Sequence, residues 1–562
     1  MLLVFGPRST DYDFGPGHPL TPRRFGPGID LLRAVGAEPD LAPDPAPDAD
    51  LRMAHVQEYI EVVRRFSVDP FGPTEAGIGH SDNPPFAEMH EAAATVAGGS
   101  LRAMEAILRG DVEHAFHPGG GLHHAMRDRA WGFCIYNDPA LAIARARRDG
   151  LRVLYIDLDV HHGDGVQALF WDDPGVLTFS IHESGRYLFP GTGDVDEVGD
   201  GAAAGTAINV PLPPYTGEDA WVPIVESYLP VLAAAFGPDL IVSQHGADSH
   251  AWDPLAHLNV TTTAHGKAAR LVDAIAHRYA GGRWLATGGG GYDAYRVVPR
   301  TWAVTWLAGA HREVPASTPE AWRARWAEEA ARYGQAPLPE RFDDEPNAGL
   351  PLDGAQDASE QRAHMIAAIH RSVVAPRLLE TAIEAGWWSP LDAPSDQGRV
   401  ATSGTTGATI MSSVDGERWA RMTLASGVIA PADPSSGHAL ITAALGGAAP
   451  AVVSAAVVGS TVVGLAVSLP TDPWDGSREL LALGVAPDHR RMGLAAELLR
   501  AHAVPGSHAL VTLAERDPFD PMPRDLRASL ARRLLEGAGF EIGAVDDVIR
   551  SIDPAALMAR RP

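Results

Sequence analysis

The sequence is short of cysteine, of basic residues and of long apolar runs, and each shortage narrows what the chain can be. Cys134 is the only cysteine among 562 residues. An internal disulfide is therefore excluded, as is a metal cluster built from several thiolates. No uninterrupted apolar stretch reaches the roughly 18 residues that a membrane span requires. The nearest approach, AVVSAAVVGSTVVGLAVSL (451–469), is broken by Ser, Thr and Gly and rich in β-branched residues, which predicts two strands joined by a turn. No charged start followed by an apolar run marks a signal peptide, and the expected location is the cytoplasm. Lysine and arginine number 45 against 71 acidic residues, a formal net charge of −26. A field of that sign repels nucleic acid and favours cationic partners.

What is present suits a multidomain α/β protein. Apolar residues make up 45% of the chain, ample for sizeable cores, and the length suggests about three units at one per 100–200 residues. Through residue 310, apolar segments alternate with helical stretches and Gly-rich turns. LRVLYIDLDV (151–160), GVLTFSI (175–181), PDLIVSQ (238–244) and RWLATGG (283–289) are near-continuous apolar runs, the pattern of a parallel sheet covered on both faces. Between them lie helices such as PALAIARARRDG (139–150), closed by Gly150. The predicted fold is a doubly wound, mostly parallel sheet with helices on both sides. Residues 311–390 read as a helical extension, and SPLDAPSDQGRVATSGTTG brings a Pro/Ser/Gly/Thr-rich linker over 391–407. A smaller α+β domain is expected over 408–562, and no internal repeat is evident.

Four polar clusters sit where strands should end: GGGLHHA (119–125), DLDVHHGDG (157–165), QHGADSH (244–250) and GGGGYD (288–293). Ligands in open α/β sheets bind beyond the carboxyl ends of strands. In an extended strand Asp157, Asp159 and His161 share a face. Two carboxylates and an imidazole suit a divalent cation, and without one the like charges are costly to bury. Asp248 could close the site. The bland alternative is a loop of solvated residues capping the next helix. His123 and His124 follow a Gly-rich turn, and Asp157 and Asp164 are available to fix their tautomers for acid–base work. The glycines of 288–291 would present Tyr292 as a donor to a developing oxyanion. A nucleotide P-loop is a poorer reading, because no Lys-Ser/Thr follows.

With these residues in place, the chain resembles the metal-dependent histone deacetylase superfamily, and within it the bacterial acetoin-utilisation deacetylases. The resemblance runs through YDFGPGHPLTPRRF (12–25), SDNPPF, GGGLHHA, WGFCIYND, YIDLDVHHGDG, FPGTGD, QHGADSHAWDPLAHL and TGGGGYD. It spans about residues 1–310, and more loosely the stretch to 390. It implies an arginase/deacetylase-like fold with Asp159, His161 and Asp248 as ligands of the catalytic metal. It implies that His123 and His124 form the general base and acid pair, backed by Asp157 and Asp164, and that Tyr292 polarises the acetyl carbonyl. Gly132, Phe133 and Phe189 would wall a channel for the lysine alkyl chain. Asp82 would grip the substrate backbone at the rim, Leu255 would stand at the gatekeeper position, and Arg24 would line an acetate-release tunnel. Zinc is the expected metal; a two-oxygen, one-nitrogen set also accommodates ferrous iron. A potassium ion near Asp157–His161 and Ser180 is a further expectation. The implied substrate is an acetylated protein, with acetyl-CoA synthetase as the suggested target.

Beyond the linker, RELLALGVAPDHRRMGLAAELLRAHA (478–503) leads a strand through a turn carrying Arg490, Arg491, Gly493 and Ala495 into an amphipathic helix. Backbone N–H groups at a helix start suit a pyrophosphate. The segment resembles the acetyl-CoA motif of GNAT acetyltransferases, and LARRLLEGAGFEIGAV (530–545) resembles that fold's closing helix and strand. Glu479 is a candidate general base there. Three other readings stand beside the leading one. An acetylpolyamine deacetylase suits the negative field, but that specificity uses an acidic gatekeeper where Leu255 stands. An arginase-like dimanganese hydrolase needs a further Asp after Asp248, where Ser249 and His250 stand. The third is a non-enzymatic sensor of acetyl-CoA in the C-terminal domain.

Overall fold

The computed structural model describes residues 1–344 continuously. Beyond them it describes 359, 366, 381, 399–402, 409–413, 452–458, 461–470, 478–485, 494–502, 508–511, 531–536, 538–543 and 557–560. Two compact units are present, one dominated by Met1–Ile366 and the other by Ala367–Pro562.

The first unit is built on eight strands: β1 (Leu2–Val4), β2 (Pro39–Leu41), β3 (His114–His117), β4 (Val153–Asp157), β5 (Val176–Glu183), β6 (Ala207–Leu212), β7 (Leu240–Gln244) and β8 (Trp284–Thr287). Every pairing is parallel. The order across the sheet is β2-β1-β3-β8-β7-β4-β5-β6. Every residue of β3 to β8 is buried, which explains their continuous apolar character, since a parallel sheet is covered on both faces. One covering helix, Met89–Leu108, is rich in alanine and glycine and buries most of its length. Small side chains let it lie close to the sheet. Helix Asp138–Arg148 follows ordinary end rules. The Asn137 side chain caps the Ala140 N–H at 2.9 Å, Arg145, Arg147 and Arg148 occupy the last turn, and Gly150 takes φ +77° just beyond.

β3, β8, β7 and β4 are consecutive neighbours at the centre of the sheet. The four polar clusters follow these four strands. Parallel pairing puts all four carboxyl ends on one side, so residues up to 170 positions apart in sequence arrive at one place.

The second unit holds a mixed sheet. Its strands are β9 (Arg399–Thr402), β10 (Thr409–Ser413), β11 (Val452–Val458), β12 (Thr461–Pro470), β13 (Arg478–Val485), β14 (His508–Val511), β15 (Glu541–Gly543) and β16 (Leu557–Arg560). The order is β15-β16-β14-β13-β12-β11-β10-β9, with β13 and β14 parallel and the other pairs antiparallel. The 451–469 run forms the hairpin β11–β12, and Arg399–Thr402, inside the stretch read as linker, is the outermost strand. Helix Leu494–His502 runs between the parallel strands and buries Leu494 and Leu498 against Ala456, Val463 and Ala466. Among the described residues no helix is long and apolar enough to cross a membrane.

Candidate active site

At the carboxyl end of β4 the chain leaves the sheet after Asp157 and turns through residues 158–163. The alternation that would put Asp157 beside Asp159 and His161 stops there, and the side chains part company. Asp157 turns to His123, accepting from its Nδ1 at 2.7 Å and from the Tyr155 hydroxyl at 2.7 Å. Asp159 and His161 turn instead toward Asp248, at the end of β7. His161 Nδ1 lies 3.0 Å from Asp159 Oδ1 and 3.2 Å from Asp248 Oδ2. The trio of one imidazole and two carboxylates is therefore Asp159, His161 and Asp248, all buried.

These residues fit a divalent cation. Asp159 is held by Gln244 Nε2 at 2.6 Å and the Gly290 N–H at 2.9 Å, and Asp248 Oδ1 by the Val160 N–H at 3.0 Å. Asp248 Oδ2 is buried and makes no hydrogen bond, its nearest polar contact being His161 Nδ1 at 3.2 Å. An ionised oxygen with an unused lone pair, in a dry setting beside a second carboxylate, is costly unless a cation takes it up. Burial, reinforced by the charge of Asp159, pushes the Asp248 carboxyl up to about 6. Gly290 has no room for a side chain, because a Cβ there would meet Asp248 Oδ2 at 2.0 Å and Asp159 Oδ2 at 2.8 Å.

Beside this trio stand two His–Asp pairs. His124 Nδ1 donates to Asp164 Oδ1 at 2.6 Å, and the two Nε2 atoms of His123 and His124 face one another at 3.0 Å. The two rings are electrostatically unequal. Burial opposes charge on His123, but Asp157 and Asp159 overcome it and raise its pKa to about 9. Burial, together with the charge of His123 and His161, holds His124 well below the ordinary histidine value. Burial also lifts Asp164 to about 6.

The His124 ring meets Phe189 edge-on at 5.0 Å between centroids. Gly132 passes between them with φ +50°, and a Cβ there would lie 2.6 Å from both rings. Phe133, also at positive φ, meets Tyr292 edge-on at 5.9 Å. The half-buried residues Gly132, Phe133 and Phe189 therefore border the site on the side of His124 and Tyr292. Tyr292 is anchored through its N–H to Asp253 Oδ2 at 2.8 Å, and the other oxygen of Asp253 holds the N–H of Leu255 at 3.0 Å. Burial and the carboxylates of Asp248 and Asp159 push the Tyr292 phenol well above its usual pKa, so it remains a hydrogen-bond donor. Asp82 is exposed, and its carbonyl accepts from His18 Nε2 at 3.2 Å while the His18 ring packs on Phe133. Arg24 is buried, donates to the Gly289 carbonyl at 2.8 Å, and lines a small open pocket with Ser9, Tyr12, Phe25, Gly119 and Leu122. Ser180 stands opposite Asp157 in register. Of the residues named in the second unit, Ala495 lies in helix Leu494–His502, and Glu479 lies in β13. Arg490, Arg491 and Gly493 lie outside the described residues.

Residues 18–308 match the model of the histone deacetylase domain. The acetoin utilization protein AcuC of Bacillus subtilis (strain 168) is 40% identical over 372 residues, which is 65% of this chain and 95% of that protein. The chain belongs to the histone deacetylase family. The AcuC of Staphylococcus xylosus is 34% identical over 64% of this chain and 94% of its own. Among solved structures, a histone deacetylase homologue described as complexed with SAHA has a TM-score of 0.56 at 30% identity, covering 65% of this chain and 99% of that one. A homologue from Aquifex aeolicus has a TM-score of 0.56 at 28% identity, covering 64% and 99%. The fold is the arginase/deacetylase one, and this histone deacetylase family member is a deacetylase of the AcuC kind whose fold implies a divalent metal.

Several groups that hold the deacetylase site together were not singled out by sequence. Asp138 accepts from the N–H groups of Gly121 and Leu122 at 3.0 and 2.8 Å and from the Ser100 hydroxyl at 2.5 Å, fixing the turn that delivers His123 and His124. Asn137 donates to the carbonyls of His123 and Ala125. Tyr155, Gln244 and Asp253 act in the same way on Asp157, Asp159 and Tyr292. An Asn-Asp-Pro start to a helix was the one visible signal, and it reads equally as a cap. His250, in the QHGADSH motif, does not join the site; its Nε2 bonds Asp344 Oδ2 at 3.0 Å.

Proposed function

We propose that the first domain hydrolyses the acetamide of acetyl-lysine side chains in proteins, with a zinc-class cation held by Asp159, His161 and Asp248. The observation that supports this most directly is the convergence of that trio with two oriented His–Asp pairs and a protonated tyrosine on one border. The cation would supply Lewis acidity toward water and the acetamide carbonyl. The remaining work belongs to side chains. The His123–His124 pair, oriented by Asp157 and Asp164, takes a proton from the attacking water as general base. The water oxygen bonds to the carbonyl carbon, and the Tyr292 hydroxyl donates to the oxyanion that develops. The proton then passes to the amine nitrogen, the C–N bond breaks, and acetate and a free lysine amine result. His123, held by Asp157, lies 3.0 Å from His124, and the two serve as the general base and acid pair. Gly132, Phe133 and Phe189 fit the lysine stem, Asp82 the peptide backbone, and Arg24 with its pocket the departing acetate. A potassium ion near Asp157 and Ser180 belongs to the same proposal, as does ferrous iron as an alternative metal.

Within the second unit we propose a GNAT-like acyl-CoA-binding domain over 408–562, joined through 391–407, a stretch whose Arg399–Thr402 strand pairs with the edge of its sheet. The support is the Arg490, Arg491, Gly493, Ala495 sequence pattern, which leads into helix Leu494–His502, itself set between two parallel strands in chain order. Such a module would bind acetyl-CoA and acetylate or sense the target that the first domain deacetylates; acetyl-CoA synthetase is the target that the likeness to AcuC suggests. Acetate release from an acetyl-lysine peptide library, followed by mass spectrometry with and without chelator, tests the first domain. Acetylspermidine is the comparator, because the −26 charge favours cationic amines while Leu255 offers them no carboxylate. Turnover of acetylspermidine alone would transfer the assignment to polyamines. Calorimetric titration with acetyl-CoA and an acetyl-transfer assay separate a binder from an enzyme in the second.

A further inference from the structure

A second histidine-rich cluster lies at the opposite end of the first unit's sheet. β3 begins at His114, in register with Trp284 at the start of β8, so this is the amino end of strands whose carboxyl ends lead to His123 and Tyr292. His114 Nε2 lies 3.1 Å from His277 Nε2, which lies 3.1 Å from His311 Nε2. Asp273 Oδ1 is 3.2 Å from His114 Nε2, 3.1 Å from His311 Nε2 and 3.6 Å from His277 Nε2. All four donor atoms fall within 4.8 Å of one another.

We propose that His114, Asp273, His277 and His311 form a second divalent transition-metal site, with zinc as its occupant. Zinc bonds of about 2.0–2.1 Å in a tetrahedron place neighbouring ligand atoms about 3.3 Å apart. Five edges of the cluster measure 3.1–3.6 Å. Three imidazoles and a carboxylate are the donors that borderline cations take. Hydrogen bonding alone serves the cluster poorly. Each Nε2 carries at most one proton, so at most three hydrogens are available for five close contacts, whereas one cation engages all four atoms together.

Backbone features agree. Asp273 and His277 are one turn apart on helix Thr262–Tyr279 and share a face. His311, just past helix Val298–Gly309, takes φ +53°, a left-handed conformation unusual for a residue other than glycine. Strained backbone of that kind persists where surroundings over-determine it. His114 and Asp273 are largely buried, whereas His277 and His311 are 40% and 53% exposed, which leaves a path for the ion. With four protein ligands the site is closed, as structural zinc sites are. It would tie the start of β3, helix Thr262–Tyr279 and the segment after Val298–Gly309 to one another.

The test uses the full-length chain, stripped with chelator and reloaded with zinc alone. The wild type should take up two equivalents per chain. Asp248→Ala, which removes a ligand of the deacetylase site, should keep one, together with a zinc-dependent rise in melting temperature. His277→Ala with His311→Gly, in which glycine accepts the positive φ, should also keep one, and added to Asp248→Ala it should remove both the remaining zinc and that rise. Cobalt in the Asp248→Ala chain should give the intense visible absorption of a tetrahedral ion. Equal stoichiometry in the wild type and the double variant would overturn the proposal, whether or not Asp248→Ala folds, and would leave a hydrogen-bonded histidine cluster only. So would an Asp248→Ala chain that folds and binds no zinc.

Discussion

A single atom group separates Tyr292 from phenylalanine, and its proposed contribution is confined to the moment when the acetyl oxygen becomes negative. The phenol is held protonated by burial and by Asp248 and Asp159, and its backbone is pinned by Asp253. Tyr292→Phe should therefore leave folding and zinc content unchanged while lowering kcat on an acetyl-lysine peptide by about 10²–10³-fold, the usual effect of losing one oxyanion donor. A fall in zinc content would instead assign Tyr292 to the metal. Gly290 makes the complementary case. A Cβ at this position would press on Asp248 and Asp159, and the Gly290 N–H is a hydrogen bond to Asp159. Gly290→Ala should weaken zinc binding at this site by about 10–100-fold, the range seen when groups supporting metal ligands are disturbed, as read by competition with a chromophoric chelator. At this scale the sequence disclosed ligand types and their motifs but misjudged direction. Asp157, Asp159 and His161 share a face only while the strand continues, and it ends at Asp157. Gln244 carries no local mark, because it acquires its role from Asp159, 85 positions away, whereas Tyr155 stands two residues before Asp157 on the same strand and was open to the alternation argument.

At the level of elements, the apolar runs that form β4, β5, β7 and β8 were legible because a strand buried on both faces must be apolar throughout. The strands β1, β2, β3 and β6 were not. β3 is His-Ala-Phe-His, polar at both ends, and its place follows from pairing with β1 and β8. The histidine cluster at its start escaped for a related reason, as its members span positions 114 to 311 without a motif. Asp344 shows how elements are tied once they form. It accepts from Arg300 at 2.6 Å, from His250 at 3.0 Å and from the N–H of Thr262 at 2.9 Å, joining helix Val298–Gly309, the loop after β7 and the start of helix Thr262–Tyr279. Arg300 is fully buried. Asp344→Ala should cost about 3–5 kcal/mol, because it strands that charge. Burial opposes ionisation of Asp344, but His250 and Arg300 hold its pKa well below the usual carboxylate value. Its contribution is thus present above the unfolded pKa of about 3.9 and is lost as pH falls through the folded one. The stability difference between wild type and Asp344→Ala, from denaturant titrations, should be flat from pH 8 to 5 and shrink below about pH 4. A gap that widens in acid would contradict this linkage.

For the whole molecule, the decisive comparison is one of length. Two thirds of this chain matches 95% of the Bacillus subtilis AcuC, so the remaining third lies outside that match. That third has apolar clusters of its own, with Leu499, Leu535, Ala538 and Phe540 in one and Ala456, Val463, Leu494 and Leu498 in the other. A large apolar cluster of the first unit takes its buried members from between Val4 and Leu285. Among the described residues these clusters share no member, and a chain of two domains need not melt as a single two-state unit, so calorimetry of the full chain should resolve two transitions. A ligand that binds only the native state of one unit stabilises that unit by about 2.7 kcal/mol at a hundredfold excess over its dissociation constant, a shift of roughly 2–4 °C per kcal/mol for units of 150–250 residues. Zinc should move one transition and acetyl-CoA the other. If acetyl-CoA moves neither, the proposed role of Arg490, Arg491 and Gly493 fails while the deacetylase assignment stands; if zinc moves neither, the metal-dependent reading of the first domain fails.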